Sequence, residues 1–328
     1  MDAGTDARRE AGTDAGPRPR TDEPNKGPWA MQPTTTSIAV RWESQLEVTD
    51  VSIDVTPEAG GAPLTFNGTS TETVVRLSYG VGRPIDDPDL PGIYFVNEVR
   101  AEGLAPATCY RYVLSSYPEH GGRFCTMHAP DDHATPITFY AVGDTSPALA
   151  GTTRIIANTD PATTEMSIHV GDIQYYTTLI ETQEVWFDLM QPMLEANAFL
   201  PCIGNHEMED ADGVPFEFED IYLRLFDHPG GDTGVNAGPD GALWYHFETG
   251  GVHFFSLSTE HDIDVGSPQH DWLLATLAAV EAEPTYRFSI LYLHRPWYSY
   301  GDYGVSATIR GALEPVVRDN RIPLVLAG

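Results

Sequence analysis

At 328 residues the chain is long enough for two domains, and its 41% hydrophobic and 10% aromatic content is that of an ordinary soluble globular protein. No run approaches the ~20 apolar residues that a membrane-spanning helix needs. The net charge of −30, from 48 acidic residues against 18 lysines and arginines, argues against a nucleic-acid or anionic-membrane surface, because phosphates would be repelled. A site for a small anion on such a chain needs strong local positive charge, such as bound metal cations.

Residues 1–26 (MDAGTDARREAGTDAGPRPRTDEPNK) contain the near-repeat AGTDA twice and almost no large apolar residue. They cannot bury a core and are expected to be a disordered linker. No apolar h-region follows Met1, so no signal peptide is visible. The segment has the look of the tether that follows a cleaved signal or a lipid-anchored Cys, with Met1 as a fragment start, and the protein is expected to be exported.

Residues 27–129 read as an all-β domain. Short β-branched or aromatic runs at Ser37–Trp42, Val48–Val55, Thr73–Leu77, Tyr94–Val99, Cys109–Leu114 and Gly122–Thr126 are separated by Pro/Gly turns, the spacing of a small sandwich. Leu104–Tyr112 (LAPATCYRY) resembles the L-x-P-x-T-x-Y-x-Y corner of fibronectin type III domains. The sandwich carries no cluster of titratable groups and is expected to be a scaffold or docking module. Of the three cysteines, Cys202 sits in an apolar run and reads as a small buried hydrophobe. Cys109 and Cys125 flank the last hairpin; the spacing leaves a cross-strand disulfide open, and one would require an oxidising compartment.

Residues 130–328 change to strand–helix alternation. Strands are expected at Ile137–Gly143, Met166–Gly171 and Phe199–Ile203, with helices at Thr153–Asn158 and Glu181–Asn197. A Gly- and Asp-rich excursion, Glu209–Gly241, follows. Then come a hairpin (Leu243–Phe247, Val252–Leu257) turning at Gly250-Gly251, a helix at Pro268–Val280, a strand at Tyr286–Leu293, a mostly helical Val305–Asn320 and a strand at Ile322–Ala327. This order implies a largely parallel α/β core, and such sheets build their sites at the carboxyl ends of strands.

Four of those ends present metal-ligand types: Gly143-Asp144, Gly171-Asp172 with Tyr175 three residues on, Gly204-Asn205-His206-Glu207, and His294-Arg295-Pro296. Any single Asp after a strand is explained by capping of the next helix. Four strand ends each delivering an oxygen or nitrogen donor are much harder to explain that way. The set suits two cations ~3.5–4 Å apart sharing one anionic bridge. Asp172 can bridge, the Tyr175 phenolate favours a trivalent iron, and Asn205 and His294 suit a divalent zinc, iron or manganese.

In order and spacing, Asp144, Gly171-Asp172-x-x-Tyr175, Gly204-Asn205-His206-Glu207 and His294 resemble the metallophosphoesterases of the purple acid phosphatase type, within the calcineurin-like superfamily. Tyr222–Pro229, Leu243–Phe247, Pro268–Leu273, His294–Ser299 and the opening Gly27-Pro28-Trp29 share the likeness, which covers residues 27–328. It implies an α/β (α+β) metallophosphoesterase sandwich preceded by a small fibronectin type III-like domain. It also implies hydrolysis of phosphate monoesters by a metal-bound hydroxide. One metal, Fe(III), would be held by Asp144, Asp172 and Tyr175; the other, Zn, Fe(II) or Mn(II), by Asp172, Asn205 and His294. His206 would contact the phosphoryl group or protonate the leaving oxygen, with Glu207 orienting it. The partner would be a small phosphorylated substrate. The chain departs from the pattern twice: Asp144-Thr145-Ser146 replaces Asp-x-Gly, and Ile322–Gly328 reaches the Gly of a Gly-His-x-His motif without its histidines. The expectation is therefore a fragment of a longer product that binds its metals weakly and has little activity. A phosphodiesterase or nucleotide hydrolase on the same centre, and an inactive or exported binding protein working through its sandwich, are the competing readings. The sequence leaves oligomeric state open.

Overall fold

A computed structural model describes residues 20–74, 93–145, 150–173, 179–208, 222–226, 243–301 and 304–328. Eight strands come first: β1 (Pro24–Met31), β2 (Ser37–Ser44), β3 (Ser52–Pro57), β4 (Leu64–Asn67), β5 (Thr69–Val74), β6 (Ile93–Glu102), β7 (Cys109–Leu114) and β8 (Gly121–Cys125). Strand–helix alternation follows: β9 (Phe139–Val142), α1 (Ala150–Asn158), β10 (Met166–His169), α2 (Leu179–Leu194) and β11 (Ala198–Pro201). The remainder is β12 (Tyr245–Thr249), β13 (Val252–Ser256), α3 (Pro268–Glu281), β14 (Phe288–Leu293), α4 (Ala307–Asp319) and β15 (Leu324–Ala327).

Three sheets result, ordered β5-β6-β2-β1-β11-β10-β9, β12-β13-β14-β15 and β4-β3-β7-β8. Within the first, β9, β10 and β11 are parallel; in the second, β13, β14 and β15 are. The antiparallel β12–β13 hairpin turns where the sequence placed it, at Gly250 and Gly251, whose φ of 57° and 74° a tight hairpin turn requires at both central residues. The apolar faces define the layers. Trp29, Trp186, Phe187 and Phe199 pack between α2 and the seven-stranded sheet. Ile168, Leu200, Tyr245, Phe254 and Tyr292 fill the space between that sheet and β12–β15, whose other face is covered through Leu273, Leu277, Leu313 and Val316 of α3 and α4. This helix–sheet–sheet–helix stack leaves the carboxyl ends of β9, β10, β11 and β14 at one edge. A separate core of Val40, Trp42, Ile53, Val55, Tyr112 and Phe124 joins β3 and β7–β8 to β2 and its neighbours as a sandwich, and the Ala105 amide donates to Tyr110 Oη across 2.9 Å, the geometry of a tyrosine corner.

Beyond shifted ends and an additional short strand at Leu64–Asn67, three differences from the sequence reading bear on the sheets. The first strand begins at Pro24, inside the stretch expected to be linker; its polar residues hid it. Lys26 is buried there because Glu43, 17 residues away, accepts its ammonium, which also lies 5.0 Å from the Tyr94 ring centroid. The strand expected from Val48 starts at Ser52. The seven-stranded sheet also runs across residue 130: β1 pairs in parallel with β11 at Ala30↔Ala198. Arg123 of β8 reinforces that junction, donating from Nη1 to Thr164 O (2.9 Å), Ala196 O (3.3 Å) and Asn197 Oδ1 (3.3 Å). Beside it Cys109 and Cys125, directly opposed in the β7–β8 register, form a disulfide, which settles the pairing the spacing left open; Cys202 is free and buried.

Buried histidines make the fold acid-sensitive. His246 Nε2 and His253 Nδ1 are 2.8 Å apart with their rings stacked, and burial lowers both, His246 to about 3 and His253 to about 4. Burial likewise lowers His169 to about 3. A base with a depressed folded pKa takes up its proton more readily when unfolded, so the stability it contributes is present above pH ~6.5 and is lost as pH falls toward 3. At pH 5 the loss is about 2 kcal/mol each for His169 and His246. Urea midpoints should fall markedly between pH 7.5 and pH 5, and His246→Gln should flatten that dependence. An equal fall in the variant would remove His246 as a source.

Candidate metal centre

The site is assembled by four strand-to-loop transitions. β9 ends into Asp144, whose backbone has φ 53° and whose amide donates to Gly171 O across 3.1 Å. β10 ends into Gly171 (φ 86°) and Asp172 (φ 58°), a left-handed pair that Gly and Asp tolerate better than other residues. A Cβ on Gly171 would lie 2.9 Å from Gly204 Cα and from His294 Cβ, so only glycine lets the β10, β11 and β14 ends meet. Gly204 is under the same constraint, since its Cβ would fall 2.3 Å from Asp172 N and Oδ1. After Gly204 a single 3-10 turn, Asn205–Met208, projects Asn205 and His206.

Asp172 is at the centre, 3% exposed. Its Oδ1 accepts the His206 amide at 3.0 Å, and its Oδ2 lies 3.2 Å from His294 Nε2 and 3.8 Å from His206 Nε2. Burial alone would raise its pKa; the hydrogen bond and charge of His294, with the His206 amide, outweigh that and hold the carboxyl below its usual value. His294 is buried too, which alone would lower it, but Asp172 pushes it up to about 9. Its Nδ1 lies 2.9 Å from Val170 O and its Nε2 3.1 Å from Asn205 Oδ1. With Nδ1–H donated to Val170 O, Nε2 carries its own proton toward the Asp172 and Asn205 oxygens; a cation between these groups would take that proton's place, with Val170 holding the ring in orientation.

Asp144, Asp172 and His294 each offer one donor atom, and these lie within 4.8 Å of one another. Two carboxylates, an imidazole nitrogen and the neighbouring amide oxygen of Asn205 are donors for a borderline or hard divalent cation. These residues open into a cleft of about 330 Å³, which His206, Arg295 and Gly328 also line. The structure therefore brings together Asp144, Asp172, Asn205, His206 and His294; Tyr175 lies outside the described residues.

Glu207 sits differently from the expectation that it orients His206. It is 2% exposed, and its carboxylate accepts three backbone amides: Asp172 and Gly204 at Oε2 (3.0 and 2.7 Å) and Ile173 at Oε1 (2.7 Å). It binds the β10 loop to the β11 loop. A second support went unread in the sequence. Thr145 Oγ1 accepts from Trp186 Nε1 at 2.9 Å and lies 2.7 Å from His169 Nε2, which ties the residue after Asp144 to β10 and α2. The available signal was a histidine ending the short Met166–His169 strand, a residue type that needs a partner when buried, and all four positions are buried.

Fold and site together are those of a metallophosphoesterase. The model for calcineurin-like phosphoesterases matches residues 137–328, and the chain belongs to that family. Its relatives include purple acid phosphatase 23 of Arabidopsis thaliana, 29% identical over 266 residues covering 71% of this chain and 56% of the relative. Probable purple acid phosphatase 20 of the same plant is 25% identical over 80% of this chain and 57% of its own length. The chain spans about half the length of the curated relatives it matches. Among solved structures, purple acid phosphatase PPD1 from yellow lupin (Lupinus luteus) seeds superposes with a TM-score of 0.72 at 18% identity, covering 92% of this chain and 57% of that one.

Proposed function

We propose that the chain is the phosphate-ester-hydrolysing part of a purple acid phosphatase-like enzyme acting on small phosphomonoesters through a binuclear metal centre. The observation that supports this most is the convergence of Asp144, Asp172 and His294 on one point within 4.8 Å, in a family-matched region and beside Asn205 and His206. In this reading Asp144, Asp172 and Tyr175 hold an iron(III), and Asp172, Asn205 and His294 hold Zn, Fe(II) or Mn(II). Cations bound there lower the pKa of water and offset charge on the phosphoryl oxygens.

The remaining work falls to the chain. His294, fixed by Val170, keeps Nε2 aimed at the centre. Asp172 faces both His294 and His206 and sets the distance between the β10 and β14 ends. His206, its side chain 24% exposed at the cleft, would in this reading hydrogen-bond the phosphoryl group or protonate the leaving oxygen. Glu207 holds the two loops in register. The β1–β8 strands with the Tyr110 corner support a fibronectin type III-like scaffold over 27–129 ahead of a catalytic domain over 130–328. The Cys109–Cys125 disulfide supports export, because disulfides persist in oxidising compartments. No helix among the described residues is long and apolar enough to cross a membrane.

The test is metal content, colour and turnover on one preparation. The iron-loaded protein is expected to show violet tyrosinate–iron(III) absorption and to cleave p-nitrophenyl phosphate faster than its bis-ester. Tyr175→Phe should abolish the band. A persisting band removes Tyr175 as a ligand; preference for the bis-ester makes the protein a diesterase.

A further inference from the structure

Of the three donors that converge on the centre, Asp172 and His294 are buried and Asp144 is not. Burial of its side chain therefore cannot aim Asp144; its backbone has to. That backbone sits at φ 53°, a region that a non-glycine residue keeps only where its surroundings over-determine it. One support is the 3.1 Å bond from the Asp144 amide to Gly171 O. The next residue supplies another. Thr145 is buried, and its hydroxyl lies between two further side chains with no exposed surface, Trp186 Nε1 at 2.9 Å and His169 Nε2 at 2.7 Å.

The roles in this strut follow from what each group can offer. An indole nitrogen only donates, so Thr145 Oγ1 accepts from Trp186. The hydroxyl keeps its own proton; directed at His169, it makes Nε2 the acceptor and leaves the imidazole proton on Nδ1. Nδ1 is buried and has no hydrogen-bond partner among the described residues. The three polar groups lie among aromatic rings, with Phe199 centred 5.8 Å from both His169 and Trp186. A polar cluster with one nitrogen left over is a poor way to stabilise such a core, since apolar side chains of similar shape do as well or better. What directional bonds add is position. They tie the residue after Asp144 to α2 on one side and, on the other, to β10 three residues ahead of Asp172. We infer that Trp186, Thr145 and His169 are positioning residues for the metal centre: they hold the Asp144 backbone so that its carboxylate meets Asp172 and His294, and they contribute metal affinity rather than fold stability. This rests on the reading of Asp144 as a metal ligand.

The experiment separates affinity from stability. Zinc is titrated into the full chain by calorimetry, well below the unfolding temperature, and urea midpoints are read on the same preparations. Thr145→Val is expected to weaken zinc binding about tenfold or more, the usual effect of losing a group that orients a ligand. Thr145→Ser keeps the hydroxyl and should bind zinc as the unaltered protein does. Thr145→Val also lowers the urea midpoint, because it strands the Trp186 N–H and the His169 nitrogen. The triple variant Thr145→Val, His169→Phe, Trp186→Phe removes every polar partner with little change in total volume. Its midpoint should rise above that of Thr145→Val while its zinc affinity stays low. The strut is overturned if Thr145→Val binds zinc undiminished, if Thr145→Ser loses as much affinity as Thr145→Val, if the triple variant regains affinity, or if it is less stable than Thr145→Val. Hydrolysis of p-nitrophenyl phosphate is followed alongside. If the affinities change as expected in a protein that hydrolyses nothing, the strut stands and the phosphatase reading falls. If the unaltered protein binds no zinc, the centre and the strut fall together.

Discussion

Asp172→Asn should empty the centre with little change in shape. The replacement is isosteric, so the His206 amide can still donate to the remaining oxygen, as it now does at 3.0 Å. What disappears is the charge that faces His294 Nε2 at 3.2 Å and that a pair of cations would share. Bound metal, measured by elemental analysis, should drop to half the unaltered value or below, and kcat/KM for p-nitrophenyl phosphate should fall by about 1000-fold or more, which corresponds to roughly 4 kcal/mol of transition-state stabilisation. Stability changes less. Asp172 has a depressed folded pKa, so what it contributes is present above the unfolded carboxylate pKa and lost as pH falls through the folded one; removing it should cost about 1–3 kcal/mol at pH 7 and less in acid. Asp271→Asn, whose side chain is 69% exposed on α3, should leave metal content and unfolding midpoint within error. Full metal content and rate in Asp172→Asn would remove the bridging role.

What could be read from the sequence divides along a physical line. The ends of β9, β10, β11 and β14 were legible because each is a short apolar run that stops on a glycine, on a leaving aspartate or on a histidine. Those residue types are poor core material and good ligands. The β12–β13 turn was legible because Gly250-Gly251 has one common use. Lys26 in β1 was not, since a buried lysine looks like a surface one until its partner Glu43 is known. Nor was the sheet that crosses residue 130, because a single parallel contact between Ala30 and Ala198 leaves no local pattern. The same holds for Arg123, whose partners at Thr164, Ala196 and Asn197 are 41 to 74 residues away. Arg295 was visible as a neighbour of His294, but its tie to Glu260 across 35 residues was not. Local chemistry is written locally; long-range pairing of polar groups is written only in the fold.

Glu207 is the sharpest case, and it carries the second large expected effect. Read in sequence it follows His206 and looks like that histidine's partner. In the structure its two oxygens take the amides of Asp172, Ile173 and Gly204. Glu207→Ala leaves three buried N–H groups without that acceptor, at a cost of about 3–5 kcal/mol and a fall in Tm on the order of 10 °C. Glu207→Gln keeps one acceptor oxygen but turns an NH2 toward a donor, so it should lose roughly half as much. If holding the loops is the whole of its role, metal affinity and Tm should fall together across the two variants, because the amides it grips belong to Asp172 itself and to the residue before Asn205. The acid limb of the rate profile should stay where it is in Glu207→Gln. A shift in that limb with Tm and metal affinity unchanged would instead make Glu207 act through the His206 proton, as its place in the sequence suggests.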